Sequence, residues 1–148
     1  MKKLNDKAFS MVELIIVIAV MAVLVGVLAP QYMKYLAKAE KAKDCSVINT
    51  ILDTCEVMAL DPDTEWKNGP EKAITITLGS NGVSYSGDAS SELATYVPIN
   101  NLALEATDWG PFTITAVKTE EGRVDFTIDE DEKVELGKYS ETLLERLE

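Results

Sequence analysis

The sequence contains no histidine, which excludes catalytic triads, imidazole acid–base pairs and the common zinc arrangements that need an imidazole. Cysteine is almost as scarce, with only Cys45 and Cys55. If both lie on one helix, a rise of about 1.5 Å per residue separates them by about 15 Å, whereas a disulfide needs Cα atoms about 4.4–6.8 Å apart. They read as buried thiols on an apolar stripe. Positive charge is also in short supply: 14 Lys and Arg stand against 25 Asp and Glu, a net charge of −11. Nonspecific attraction to nucleic acid or to an anionic membrane surface is therefore not expected. A length of 148 residues suits one globular unit with a modest core.

What is present is unevenly spread. From Asp61 onward there are 19 acidic and 7 basic side chains, while Lys34, Lys38, Lys41 and Lys43 crowd an earlier segment. Leu14 to Pro30 holds no charged side chain, and the uncharged stretch continues to Met33, about 30 Å of helix and enough to span a bilayer. Its many β-branched residues favour a strand in water, but the run is several times longer than ordinary strands. In lipid a helix satisfies its own backbone. The leader Met1 to Ala8 is basic, like the start of a secretory signal. The apolar run, however, exceeds the roughly 7–15 residues of such a signal, and no small-x-small cleavage site follows it, so the segment reads as retained. Lysines on both sides of the span leave its orientation open. Glu13 stands at the edge of the run. An acid at the centre of a membrane helix costs about 2.5–3.5 kcal/mol, and a carboxylate at its edge calls for headgroup water or a partner.

Beyond Pro30 an amphipathic helix is expected. Tyr32, Tyr35, Leu36, Ala39, Ala42, Cys45, Ile48, Ile51, Leu52, Cys55, Met58 and Ala59 recur at steps of three and four, opposite Lys34, Lys38, Lys41, Asp53 and Glu56. Asp61-Pro62-Asp63 supplies a stop. From Ile74 the period becomes two. One hairpin joins Ile74, Ile76 and Leu78 to Val83 and Tyr85 across Gly79-Ser80-Asn81-Gly82, and a second pairs Phe112 to Val117 with Arg123 to Ile128. A further strand is read at Lys133 to Leu136, and a short helix over Ser140 to Leu147 with Ser140 as N-cap. Thr64 to Lys72 and Asp88 to Asp108 read as irregular connections, with Trp66 and Trp109 anchoring the packing. The fold class is α+β: a long N-terminal helix, half transmembrane and half amphipathic, packed on a small antiparallel sheet. The acidic run Asp129 to Glu132 reads as a solvated turn. Asp125, Asp129 and Asp131 are the candidates for calcium, although their spacing is not that of an EF-hand loop.

The string from Ala8 through Phe9 and Glu13 to Val20, AFSMVELIIVIAV, resembles the class III signal of type IV prepilins: a basic leader, a small residue, Phe, four residues to Glu, then an apolar helix. Pro30 and the Tyr32 and Tyr35 pair extend the likeness over about the first third of the chain. The residue before the cut is usually Gly in the family and is Ala8 here. The C-terminal region has no cysteine pair of the kind that closes the variable loop in many relatives. The resemblance implies that prepilin peptidase cuts between Ala8 and Phe9 on the cytoplasmic side and methylates the new amino group of Phe9. That would place the C-terminus outside. It further implies that Glu13 of one subunit meets the Phe9 amino group of a neighbour during assembly, and that Gly26 and Pro30 mark a weak point, kinked or unwound, in the helix.

The expected organisation is then leader 1–8, transmembrane and filament-core helix 9–33, amphipathic helix 34–60 and sheet-bearing head 61–148. The expected function is a non-enzymatic type IV pilus subunit for adhesion, motility or surface sensing. It is stored as a single-pass protein of the cytoplasmic membrane and then polymerised with other subunits at the cell surface. Its partners would be prepilin peptidase, the pilus assembly platform and membrane lipid, with no nucleic acid and no required cofactor. Two alternatives are a pseudopilin of a type II secretion or DNA-uptake system and, from another class, a membrane-anchored extracellular binding protein.

Overall fold

The structure, a computed structural model, describes residues 11–98, 102–106 and 108–148. The chain falls into two compact units divided between Ala37 and Lys38. Helix α1 runs Met11–Leu60 and contains Pro30. In the first unit it is the only described element. Every large apolar side chain from Met11 to Leu36 is exposed, and by length and composition the helix can cross a membrane.

The second unit, Lys38–Glu148, is built around a sheet. Strands β1 (Ile74–Gly79), β2 (Gly82–Gly87), β3 (Phe112–Lys118) and β4 (Val124–Ile128) are ordered β2-β1-β3-β4 and are antiparallel throughout. Both hairpins lie where the period of two places them. The first closes on Gly79 opposite Gly82. In the second, the Gly122 amide donates to the Thr119 carbonyl at 3.1 Å, with Gly122 at φ 77°, a left-handed conformation that glycine adopts without steric cost.

Alternation decides the faces. Ile74, Ile76, Leu78, Val83, Phe112, Ile114, Ala116 and Phe126 are buried in one core with Ile48, Ile51, Leu52, Cys55 and Met58 of α1. Each large aliphatic side chain so buried is worth about 1.5–3 kcal/mol. Cys45 and Cys55 are free and buried, on the stripe where the sequence places them. Helix α1 stops at Leu60, and the Asp61 carboxylate accepts from the Asp63 amide at 2.9 Å.

Three expectations are corrected. The segment read as a strand at Lys133 to Leu136 belongs to helix α3, Glu130–Gly137. Asp129 caps it, accepting from the Asp131 amide at 3.1 Å, and the acidic first turn favours the positive end of the helix dipole. Within the region read as irregular, Ser90–Tyr96 forms helix α2 with only Leu93 buried, and Pro70–Lys72 forms a 3-10 turn. The buried stripe of α1 begins later than its periodicity suggests: Tyr32, Tyr35, Leu36, Ala39 and Ala42 are exposed, and its first members are Lys41 and Asp44. The expected C-terminal helix is present as α4, Glu141–Leu147. Ser140 is its N-cap, its hydroxyl accepting from the Leu143 amide at 3.1 Å.

Candidate functional site

Two features of α1 carry chemistry. The first is the apolar stretch that begins with Glu13 in its first turn. The helix continues unbroken through Gly26 and Pro30, although Pro30 has no N–H to give the Gly26 carbonyl, four residues back. Among the described residues, nothing beyond the helix's own nearby backbone lies within 4 Å of a Cβ built on Gly26. Ala8 and Phe9 lie outside the described residues.

The second is a clasp in the head that sequence reasoning missed. Asp44 is fully buried. Its Oδ1 accepts from the Glu105 amide at 2.8 Å, and its Oδ2 accepts from the Ala106 amide at 3.0 Å and from Trp109 Nε1 at 2.9 Å. A buried carboxylate is tolerated only when its lone pairs are engaged in this way. One helical turn earlier, Lys41 is 8% exposed rather than on the solvent side. Its ammonium pairs with Asp108 at 2.8 Å and lies 5.5 Å and 5.3 Å from the ring centroids of Trp109 and Tyr139. Trp109 in turn meets Phe112 and Tyr139 edge to face, at 5.0 Å and 5.2 Å. Lys43 pairs with Glu105. Together these contacts fasten the connection before β3 to α1. The bond between Lys41 and Asp108 holds the Lys41 ammonium above its ordinary range and the Asp108 carboxyl below its own. The available signal was positional: Lys41 and Asp44 continue the Ile48–Ile51 stripe backwards by steps of three and four, despite their charge.

The cysteines are chemically quiet. Burial pushes the Cys45 thiol up to about 11 and the Cys55 thiol up to about 12, so at neutral pH neither is a thiolate nucleophile. Trp66 and Trp109 are both buried, as expected of packing anchors, and Trp66 Nε1 donates to the Lys72 carbonyl at 2.9 Å.

The calcium candidates are dispersed in role. Asp125 lies on β4, Asp129 caps α3 and Asp131 sits in its first turn. Glu132 accepts from the Thr113 amide at 3.0 Å. Among the described residues, no group of three or more Cys, Asp or Glu side chains is arranged to hold a metal ion.

No solved structure matches the chain. Residues 3–29 match the family model described as the prokaryotic N-terminal methylation motif. This match covers Glu13 and most of the apolar stretch. Motifs of this type imply processing by prepilin peptidase and assembly into pilus-like polymers. The chain therefore carries the class III signal of type IV pilins and pseudopilins, placed at the start of a long apolar helix that leads into an α+β head.

Proposed function

We propose that this chain is the precursor of a type IV pilus subunit. Prepilin peptidase cuts between Ala8 and Phe9 and methylates the Phe9 amino group. The apolar segment from Phe9 to Met33 then holds the subunit in the cytoplasmic membrane with its head outside. The assembly platform transfers it into a filament at the cell surface, used for adhesion, motility or surface sensing. The observation that carries this reading is the methylation motif over residues 3–29, with Glu13 at the threshold of the apolar helix.

Physical chemistry gives each part a task. In lipid, a carboxylate at the end of an apolar helix is tolerated only near headgroup water. In a polymer the positive amino group of Phe9 on one subunit meets Glu13 of the next, so every chain contributes both halves of a repeated ion pair. Removing one partner of a buried pair costs about 3–5 kcal/mol, enough to decide whether a subunit enters the polymer. Gly26 and Pro30 make the weakest turn of the helix, where filament extension would begin. The reading requires no cofactor. Its acid-rich head suits contact with other protein surfaces rather than nucleic acid.

The test is filament yield from cells that produce only Glu13→Ala, measured by electron microscopy of sheared material labelled with antibody to the head. The variant is expected in the membrane fraction at parental level, with filaments reduced at least tenfold. Normal filament yield would refute the assigned role of Glu13. Parental filaments long enough to shear from the surface separate a pilus from a short pseudopilus.

A further inference from the structure

Cations in the head are almost all matched. Among the described residues, each lysine and arginine from Lys41 onward is ion-paired with a carboxylate, except Lys67 and Lys118. Lys118 donates to the Trp66 carbonyl at 3.2 Å. Acids are in surplus there, with 22 against 9 basic side chains from Lys41 onward.

Lys34 and Lys38 are the reverse case. Both are exposed, and among the described residues neither side chain has an ion pair or hydrogen bond. Spaced i, i+4, they share one face of α1, one turn apart. No acid stands three or four residues from either: Pro30, Gln31 and Ala37 flank Lys34, while Tyr35, Lys41 and Ala42 flank Lys38. Like charges at this spacing disfavour an isolated helix, so nothing within the helix accounts for the pair.

We infer that Lys34 and Lys38 form a docking surface for the acidic head of a second copy of this chain. The inference rests on the polymer reading above. Charge complementarity selects the partner. Anionic lipid would satisfy the lysines but leave the surplus acid of crowded heads uncompensated, whereas a neighbouring copy satisfies both. Repulsion among heads of like charge grows as subunits accumulate, and a cation pair offered by each subunit to the next offsets part of it. Surface ion pairs are individually weak, but here the pair recurs at every subunit of the filament, so its effect is multiplied.

The test uses the full chain, produced as the sole copy in cells, as parent, Lys34→Glu/Lys38→Glu, Lys34→Gln/Lys38→Gln and Lys34→Arg/Lys38→Arg. Sheared filaments and membrane-held subunits are quantified, and purified filaments are challenged with mild detergent at about 50 and 500 mM salt. The Glu pair is expected to lower filament yield at least about tenfold with an unchanged melting temperature of the head, and the Arg pair to stay within about twofold of parent. Parental filaments are expected to shed more subunits at high salt, and Gln-pair filaments to lose that dependence. Equal filament yield from the Glu pair overturns the inference and leaves the polymer reading standing. Loss of membrane-held subunit with normal filaments also overturns it and points to lipid. If the parent itself yields no filaments, both fall.

Discussion

Replacing Asp44 by Ala removes the acceptor for three donors: the amides of Glu105 and Ala106 and the indole N–H of Trp109, at 2.8, 3.0 and 2.9 Å. The last two are buried, and each unsatisfied buried donor costs about 1–3 kcal/mol. The half-buried Glu105 amide can find water. Removing a carboxylate from the interior returns part of its desolvation cost, so the net loss is about 3 kcal/mol. For a head of this size that corresponds to a fall in melting temperature of roughly 10–15 °C. Asp44→Asn should cost less, about 2 kcal/mol, because its NH2 group must then face a donor. The assay is thermal unfolding of the full chain in detergent by far-UV circular dichroism, with near-UV signal from the indoles to report release of Trp109. Asp53→Ala is the control. Its carboxylate is exposed, and Arg146 keeps Glu56 at 2.8 Å, so less than about 1 kcal/mol is expected. If Asp44→Ala melts within about 2 °C of parent, the clasp does not hold the connection before β3, and the reasoning fails.

The thiols of Cys45 and Cys55 should react with iodoacetamide at pH 8 at least about a hundredfold more slowly in the folded chain than in denaturant, because burial suppresses both access and thiolate; fast labelling of either by mass spectrometry would contradict their burial. The Lys41–Asp108 pair has a defined pH window. Asp108's contribution is complete above its ordinary value of 3.8 and lost as pH falls through its lower folded value. That of Lys41 is complete below 10.5 and lost as pH rises through its higher one. Asp108→Asn should therefore lower the melting temperature slightly between about pH 5 and 9, with the difference shrinking as pH falls below 3.8; a difference that grows as pH falls would contradict the pairing. Gly87 holds φ 101°, and an added Cβ would collide with the Ala73 carbonyl oxygen. Gly87→Ala should thus destabilise the head by about 2–3 kcal/mol in the same melting assay, whereas Gly26→Ala, whose added Cβ meets nothing among the described residues beyond its own helix backbone, should not destabilise the helix.

Legibility followed periodicity. The strands around Ile76 and Ile114 were readable because a period of two separates inward aliphatics from outward threonines, and α1 because apolar steps of three and four persist from Cys45 to Ala59. The pattern failed where polarity and burial part company. Asp44 and Lys41 sit on the buried stripe because Trp109, Tyr139 and Asp108 satisfy them, and those residues lie more than sixty positions away in sequence. Helix α3 was misread because Val134 and Leu136 alternate like a strand, while the capping signal at Asp129 preceded by strand β4 decided the local structure. Helix α2 is short and buries only Leu93, too little for a period to register. The N-terminal methylation motif was readable because a basic leader, Phe9, Glu13 and an uninterrupted apolar run are ordered along the chain and need no tertiary contact.

The central claim is that Ala8 and Phe9 are the two sides of a processing site. The intact mass and N-terminal sequence of the protein recovered from cells that carry prepilin peptidase measure this directly. The account predicts a chain beginning at N-methylated Phe9, with residues 1–8 removed. A chain that retains Met1 to Ala8 on an unmethylated terminus would contradict it and make the helix a permanent anchor instead of a filament core.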